Sequence, residues 1–240
     1  MFIHYRSQGL VLKKTDVGEA DQLLTIYTKD FGKLEILSRG GRKIAAKLRP
    51  ATEVFCWSEI EFVQGKNQKR LTDAILIDNF RKIRKNLLKL AIAFQIVSVT
   101  DELIPVQEAD EKIWQCLIET FQRLKDLPAK QNQGLKLYYY FFWSLVSLLG
   151  YQPELYHCRL CQKKLSAGQF YFSAQEGGLI CQNCYKKVKL VQEISRDTIK
   201  ILRVILKKDW PCLARLKLTK EHFAQLVTIT EETKKFLTSI

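Results

Sequence analysis

Cys158-Arg159-Leu160-Cys161 and Cys181-Gln182-Asn183-Cys184 are two Cys-x-x-Cys pairs with nineteen residues between them. Pairs spaced about 15–20 residues apart form the pattern of a four-thiolate zinc site. Two residues between thiolates make a tight knuckle that turns both sulfurs toward one ion, and a second knuckle completes the tetrahedron. Cations flank both knuckles: Arg159, Lys163 and Lys164 at the first, Lys186, Lys187 and Lys189 after the second. Positive charge favours thiolate over thiol. Cys158, Cys161, Cys181 and Cys184 are therefore expected to hold one structural Zn²⁺, with no open position for catalysis. Disulfides are the competing explanation. The first residues, Met1-Phe2-Ile3-His4-Tyr5-Arg6-Ser7, lack the apolar run of a secretory signal, and seven cysteines is an odd number. Cys56, Cys116 and Cys212 lie in apolar runs and read as core residues.

Working outward, the 240 residues suffice for one large domain or two to three small ones, and 47% hydrophobic content supports a core. No apolar run reaches the length of a membrane span; Phe141 to Leu149 is the densest. A soluble, cytoplasmic protein with no membrane partner is expected. Lys plus Arg number 39 against 25 Asp plus Glu, a net charge of +14 spread along the chain. Such an excess suits a polyanionic partner, although a lysine-rich host proteome would give the same balance.

Upstream, residues 2–79 carry strand patterns. Gly9-Leu10-Val11-Leu12, Gln22 to Thr28, Lys33 to Leu37 and Val54 to Val63 come first, and Ala74-Ile75-Leu76-Ile77 reads as a buried fifth strand. Five short antiparallel strands suit a small barrel of the OB type. Between the third and fourth lies Arg39-Gly40-Gly41-Arg42-Lys43-Ile44-Ala45-Ala46-Lys47-Leu48-Arg49-Pro50, with five cations and no acid. Adjacent glycines let backbone approach a ligand, and spaced cations can follow a phosphate chain; an ordinary solvated loop has the same composition. The barrel aromatics Phe2, Tyr5, Tyr27, Phe31, Phe55, Trp57 and Phe62 could stack on bases but mostly read as core.

From residue 80 the period becomes helical. Leu87, Leu90, Ala91, Phe94, Val97 and Val99 mark one helix ending before Pro105. Ile113 to Leu124 mark a second, and Gly134 to Leu149 a third that is apolar all round and so central. After the cysteine module, Ser195 and Thr219 read as N-caps of two further helices, with a break at Trp210-Pro211. The expected architecture is α+β and multidomain: a five-stranded OB-fold barrel over 1–79, an α-helical domain over 80–153 and 190–240, and a zinc module over 154–189 inserted in it.

Catalytic patterns are missing. There is no glycine-rich phosphate loop and no serine nucleophile elbow. His4, His157 and His222 are scattered, and His157 next to Cys158 reads as a surface or supporting residue. The pairs Asp101-Glu102 and Asp110-Glu111 sit at helix ends, where capping or solvated carboxylates are expected. A metal-dependent nuclease, an RNA-binding or ribosome-associated zinc-ribbon protein and a pure interaction scaffold are the alternatives to a DNA-binding protein.

Several segments taken in order resemble the bacterial RecO recombination and repair family. They are Gly18-Glu19-Ala20-Asp21-Gln22-Leu23-Leu24-Thr25, Phe31-Gly32-Lys33, Ser38-Arg39-Gly40-Gly41-Arg42-Lys43 and Leu48-Arg49-Pro50, then Leu149-Gly150-Tyr151 before the first knuckle and Gly177-Gly178-Leu179-Ile180-Cys181 with Cys184. The resemblance implies an OB-fold, a helical domain with an inserted four-cysteine zinc module, binding of single- and double-stranded DNA, and annealing of complementary strands. It implies partnership with RecR and with the acidic C-terminal tail of single-stranded-DNA-binding protein (SSB), the three together loading the RecA recombinase in recombinational repair near the nucleoid. Under that resemblance Lys33, Arg39, Arg42, Lys43, Lys47 and Arg49 become the DNA-contact candidates. Family members often carry Arg-Arg where this chain has Arg42-Lys43, and lysine keeps the charge but not the bidentate geometry.

Overall fold

The computed structural model describes residues 3–42, 47–66, 68–128, 130–165 and 168–239. Contacts divide the chain into two compact units, Met1–Ala129 and Lys130–Ile240.

In the first unit five strands close a barrel: β1 (His4–Val17), β2 (Asp21–Thr28), β3 (Gly32–Ser38), β4 (Trp57–Gln64) and β5 (Lys69–Asp78), in the order β1-β2-β3-β5-β4. This is the OB arrangement. All pairings are antiparallel except β3 with β5, which are parallel at Ile36–Lys69 and Leu37–Arg70. Alternation in β3 and β4 sends Leu34, Ile36, Ile60 and Phe62 inward, where they meet Val11, Leu24, Ile26 and Leu71.

Helices α1 (Arg81–Arg84), α2 (Leu87–Leu103) and α3 (Glu111–Asp126) complete this unit. Asn86 and Asp110 cap α2 and α3 by accepting from Lys89 N and from Lys112 N and Ile113 N. Aromatic packing joins them to the barrel side: Phe55 lies 4.8 Å from Phe94 and 5.9 Å from Phe121, and Trp114 faces both Tyr27 and Trp57. Composition places a boundary after residue 79; in the structure α1 to α3 pack on the barrel side, and the compact units divide at 129/130.

Two burial expectations fail here. Ala74-Ile75-Leu76-Ile77 lies in β5, yet Ile75, Leu76 and Ile77 are 52%, 38% and 44% exposed. Along this stretch β5 is paired with β4 alone, because its parallel contact with β3 is confined to Lys69 and Arg70. In α2 the buried face is Ile92, Ala93, Ile96, Val97, Val99 and Thr100, whereas Leu87 and Phe94 are exposed. The helix is apolar on most of its circumference, so spacing does not fix which face turns inward.

The second unit is built around α4 (Gln131–Leu148), whose Leu137, Phe141, Phe142, Trp143, Leu145 and Val146 are at most 1% exposed. It is the all-round apolar helix of the sequence, and α5 (Arg196–Leu206), α6 (Trp210–Arg215) and α7 (Lys220–Leu237) pack on it. Ser195 caps α5, and Thr219 forms a capping box with His222 on α7. Trp210-Pro211 starts α6 rather than merely ending α5, with the proline in the first turn, where its missing N–H costs no hydrogen bond. Between α4 and α5 the chain forms a small sheet, β7-β6-β8, from β6 (Phe170–Ser173), β7 (Gly178–Cys181) and β8 (Gln192–Ile194). Among the described residues no helix is long and apolar enough to cross a membrane.

Phe121 is fully buried among Phe55 and Phe80. Phe121→Ala is expected to lower unfolding free energy by about 3–5 kcal/mol. Ile75→Ala on the open strand should stay within about 0.5 kcal/mol of the parent protein. Urea titration of both variants checks the contrast, and equal losses would contradict the burial described.

Candidate metal centre and nucleic-acid interface

The sulfurs of Cys158, Cys161, Cys181 and Cys184 all lie within 4.8 Å of one another. Local backbone geometry brings them there. Gln162 takes a positive φ of 59° and returns its N–H to the Cys158 carbonyl at 2.9 Å, while Cys158 N donates to Lys163 O at 2.9 Å. That closes the first knuckle. The second closes as Cys184 N donates to Cys181 O at 2.9 Å. The β6–β7 hairpin carries Cys181 at its end and pairs it with Phe170. Glu154, which the sequence did not single out, holds the approach: its Oε1 accepts from Tyr156 N and His157 N at 2.6 and 3.1 Å. At Gly178, φ is 153° and a Cβ would stand 2.4 Å from the Glu154 carbonyl oxygen, so only glycine lets these two segments touch. His157 is exposed, and its Nδ1 is 3.7 Å from the Glu154 carboxylate.

The geometry suits a metal. A tetrahedral ion with metal–sulfur bonds of about 2.3 Å puts its ligand sulfurs about 3.8 Å apart, and Cys161 Sγ to Cys181 Sγ is 3.8 Å. Hydrogen bonding within the quartet also favours a charged sulfur at Cys158. Burial raises the Cys158 thiol, but backbone N–H groups of Cys161, Cys181 and Leu160 outweigh it and hold the group well below the ordinary cysteine value. Cys184 is pushed up, first by hydrogen bonding to the Cys181 sulfur and then by burial. A divalent ion binds cysteine as thiolate, so its binding displaces the thiol protons. The quartet can hold one metal ion. The remaining cysteines are separate: Cys56 is buried, and Cys116 and Cys212 are half-buried.

In the first unit the basic loop follows β3. Gly40 has φ 63° and donates its N–H to Asp21 Oδ1 at 2.7 Å, and Arg42 N donates to Ala20 O at 3.0 Å. A Cβ on Gly41 would lie 2.9 Å from Ser38 Oγ and 3.1 Å from Gln22 Oε1. The glycine pair seats the loop on the β1–β2 turn. Asp21 is the anchor, and its signal in the sequence was the Gly-Glu-x-Asp run.

The candidate cations part company. Arg39, Arg42, Lys47 and Arg49 are exposed. Among the described residues Arg39 and Lys47 have no ion-pair partner, while Arg42 stands 3.5 Å from Asp16 and Arg49 3.7 Å from Glu53. Exposed pairs of this kind contribute about 0–1 kcal/mol and yield readily to a phosphate. Lys33 is turned inward: its Nζ donates to Asp101 O at 2.5 Å and lies 3.5 Å from the Asp101 carboxylate. Lys43 lies outside the described residues. The barrel aromatics are packing groups, as expected: Tyr27, Phe55 and Phe62 are buried, Tyr5 stacks on Phe62 at 5.4 Å, and Trp57 Nε1 donates to Gln8; Phe2 is outside the described residues.

Comparison with known proteins agrees with this architecture. The family profile "Recombination protein O N terminal" matches residues 1–80, and "Recombination protein O C terminal" matches 84–235. A DNA repair protein RecO from Dehalococcoides mccartyi is 32% identical over 222 residues, covering 92% of this chain and 86% of the relative. RecO proteins of Moorella thermoacetica and Desulforamulus reducens are 29% and 28% identical, each covered to 82% of its length. The chain belongs to the Recombination protein O family of DNA repair proteins.

Replacing one ligand leaves three sulfurs and an incomplete shell. Cys184→Ala is expected to release the bound metal and lower the thermal midpoint of the protein, read by elemental analysis and calorimetry; retention of the metal at full stoichiometry would contradict the assignment. Asp21→Ala should loosen residues 39–42 without touching the metal, seen as faster amide exchange at Gly40.

Proposed function

We propose that the chain is a non-enzymatic DNA-binding protein that anneals complementary strands. With RecR it helps load RecA onto single-stranded DNA coated by SSB, whose C-terminal tail it contacts, in cytoplasmic recombinational repair. The observation that carries this is the exposed set Arg39, Arg42, Lys47 and Arg49 beside β3 of an OB barrel in a chain of this family. The chemistry asked of it is modest. Two phosphate backbones repel, and a protein that neutralises both lets base pairing proceed with no bond made or broken by a side chain. Lys43 belongs to the same proposed surface by its position in the loop, and Lys33 is a weaker candidate because its ammonium is already committed to Asp101.

The metal is proposed to be a structural Zn²⁺. Four thiolates complete a tetrahedral shell and leave no site for an activated water, and soft sulfur ligands select zinc over magnesium or calcium. Residues 154–189 are proposed to act as a module inserted between the helices of 80–153 and 190–240, with the ion as its core.

The variant Arg39→Ala/Arg42→Ala/Lys47→Ala should weaken single-strand binding to the same degree for all sequences. Its log K against log salt slope should fall by about 2, at about 0.7 for each lost phosphate contact. Fluorescence anisotropy across a salt series measures this. An unchanged slope would remove the loop from the interface, and preference for RNA over DNA of equal length would favour an RNA-binding role instead.

A further inference from the structure

The C-terminal unit contains a second concentration of positive charge that sequence spacing does not reveal. A groove of about 470 Å³ is lined by Lys130, Lys136, Arg215 and Lys217, with Asn132 and Gln133 between them, and neither Asp nor Glu is among its lining residues. Its floor is unusual. Lys136 is 5% exposed, and its Nζ donates to Ala214 O at 3.1 Å and Leu216 O at 2.6 Å. Among the described residues it has no carboxylate partner. Buried charges are normally paired, because carbonyl dipoles replace only part of the lost hydration. Burial holds this ammonium below the ordinary lysine range.

Most other features of the groove have the same polarity. Lys130 immediately precedes α4, which starts without a side-chain cap and with no acid in its first turn, so the positive end of the helix is uncompensated. Gln133 donates to Ala214 O at 3.2 Å, and its buried Oε1, an acceptor without a partner, is of the opposite polarity. Lys130, Arg215 and Lys217 are exposed at the rim. No aromatic side chain lines the groove, and its apolar lining is limited to Ala214, Leu216 and Leu218. An acidic peptide anchored by a large apolar residue would find nowhere to insert it; a chain of phosphates needs only the cations.

We infer that this groove holds the phosphodiester backbone of a nucleic-acid strand, separately from the basic loop of the barrel. It rests on the DNA-binding role proposed above and extends it: a protein that anneals needs a place for each of two strands, and the two units each supply one. Lys136 fixes one phosphate from below, and Lys130, Arg215 and Lys217 flank the strand.

The test uses the full chain with Lys130→Gln/Arg215→Gln/Lys217→Gln, all exposed positions, and the charge-keeping control Lys130→Arg/Arg215→Lys/Lys217→Arg. The glutamine variant should anneal complementary oligonucleotides about tenfold more slowly, and the annealing rate should lose salt dependence by a slope of about 2, at about 0.7 for each lost contact. Its binding of a single short oligothymidylate through the barrel loop should change less than about twofold, and the control should behave as the parent. Annealing at the parent rate in the glutamine variant overturns the second site while leaving DNA binding intact. Failure of the parent protein to bind oligothymidylate at all would instead remove the proposed function beneath it. If the glutamine variant anneals normally but no longer binds an acidic peptide or inorganic phosphate, the groove serves that ligand and the inference is wrong.

Discussion

Strand β1 is the constraint on which the first unit depends. Its fourteen residues pair with β4 from His4 to Leu10 and with β2 from Gly9 to Val17. One strand thus pairs along both of its edges and closes the barrel. A register shift between Val11 and Lys13 lets it bend from one partner to the other. The same strand ends at the turn whose Ala20 and Asp21 receive the N–H groups of Arg42 and Gly40. Barrel closure and the anchoring of Gly40 and Arg42 therefore share the β1–β2 turn.

The second unit solves a different problem. Its helices bury an apolar core around α4, but the excursion between α4 and α5 has only short strands and a few apolar contacts of its own. Ile180, Tyr171 and Tyr185, the last two stacked at 4.4 Å, cluster on Cys158 and Cys184. A core that small is marginal without a cross-link. A metal on the four sulfurs would supply it, and backbone N–H groups already hold the Cys158 thiol below the ordinary cysteine value. The proposed division gives the metal a folding role and leaves contact with DNA to cations.

What could be read in advance follows from which physical signals are local. Two Cys-x-x-Cys pairs specify their own knuckles, so the quartet was legible to the residue. Ser195 and Thr219 cap helices by contacts three residues away and were equally plain. The exposure of Ile75 to Ile77 was not, because a run of apolar residues does not say how many neighbours a strand has. Lys33 read as a free cation because its partner, Asp101, lies sixty-eight residues on. Gly40-Gly41 signalled a special backbone correctly, and the contacts the sequence did not show are those with Ser38, Gln22 and Asp21. Lys136 sits within the apolar helix α4, and its meaning comes from carbonyls of Ala214 and Leu216 some eighty residues away.

The family and the charge pattern support a single proposal: that this protein brings complementary DNA strands together by neutralising phosphate, without chemistry on the strands. Annealing of complementary strands coated with the SSB of the same cell, with its C-terminal tail intact or removed, measures that claim most directly. The account predicts that the protein speeds annealing without any nucleotide cofactor, that removal of the tail slows it, and that the strands emerge uncut. No acceleration over the spontaneous rate on either form of coated DNA, or cleavage of the strands, would contradict it.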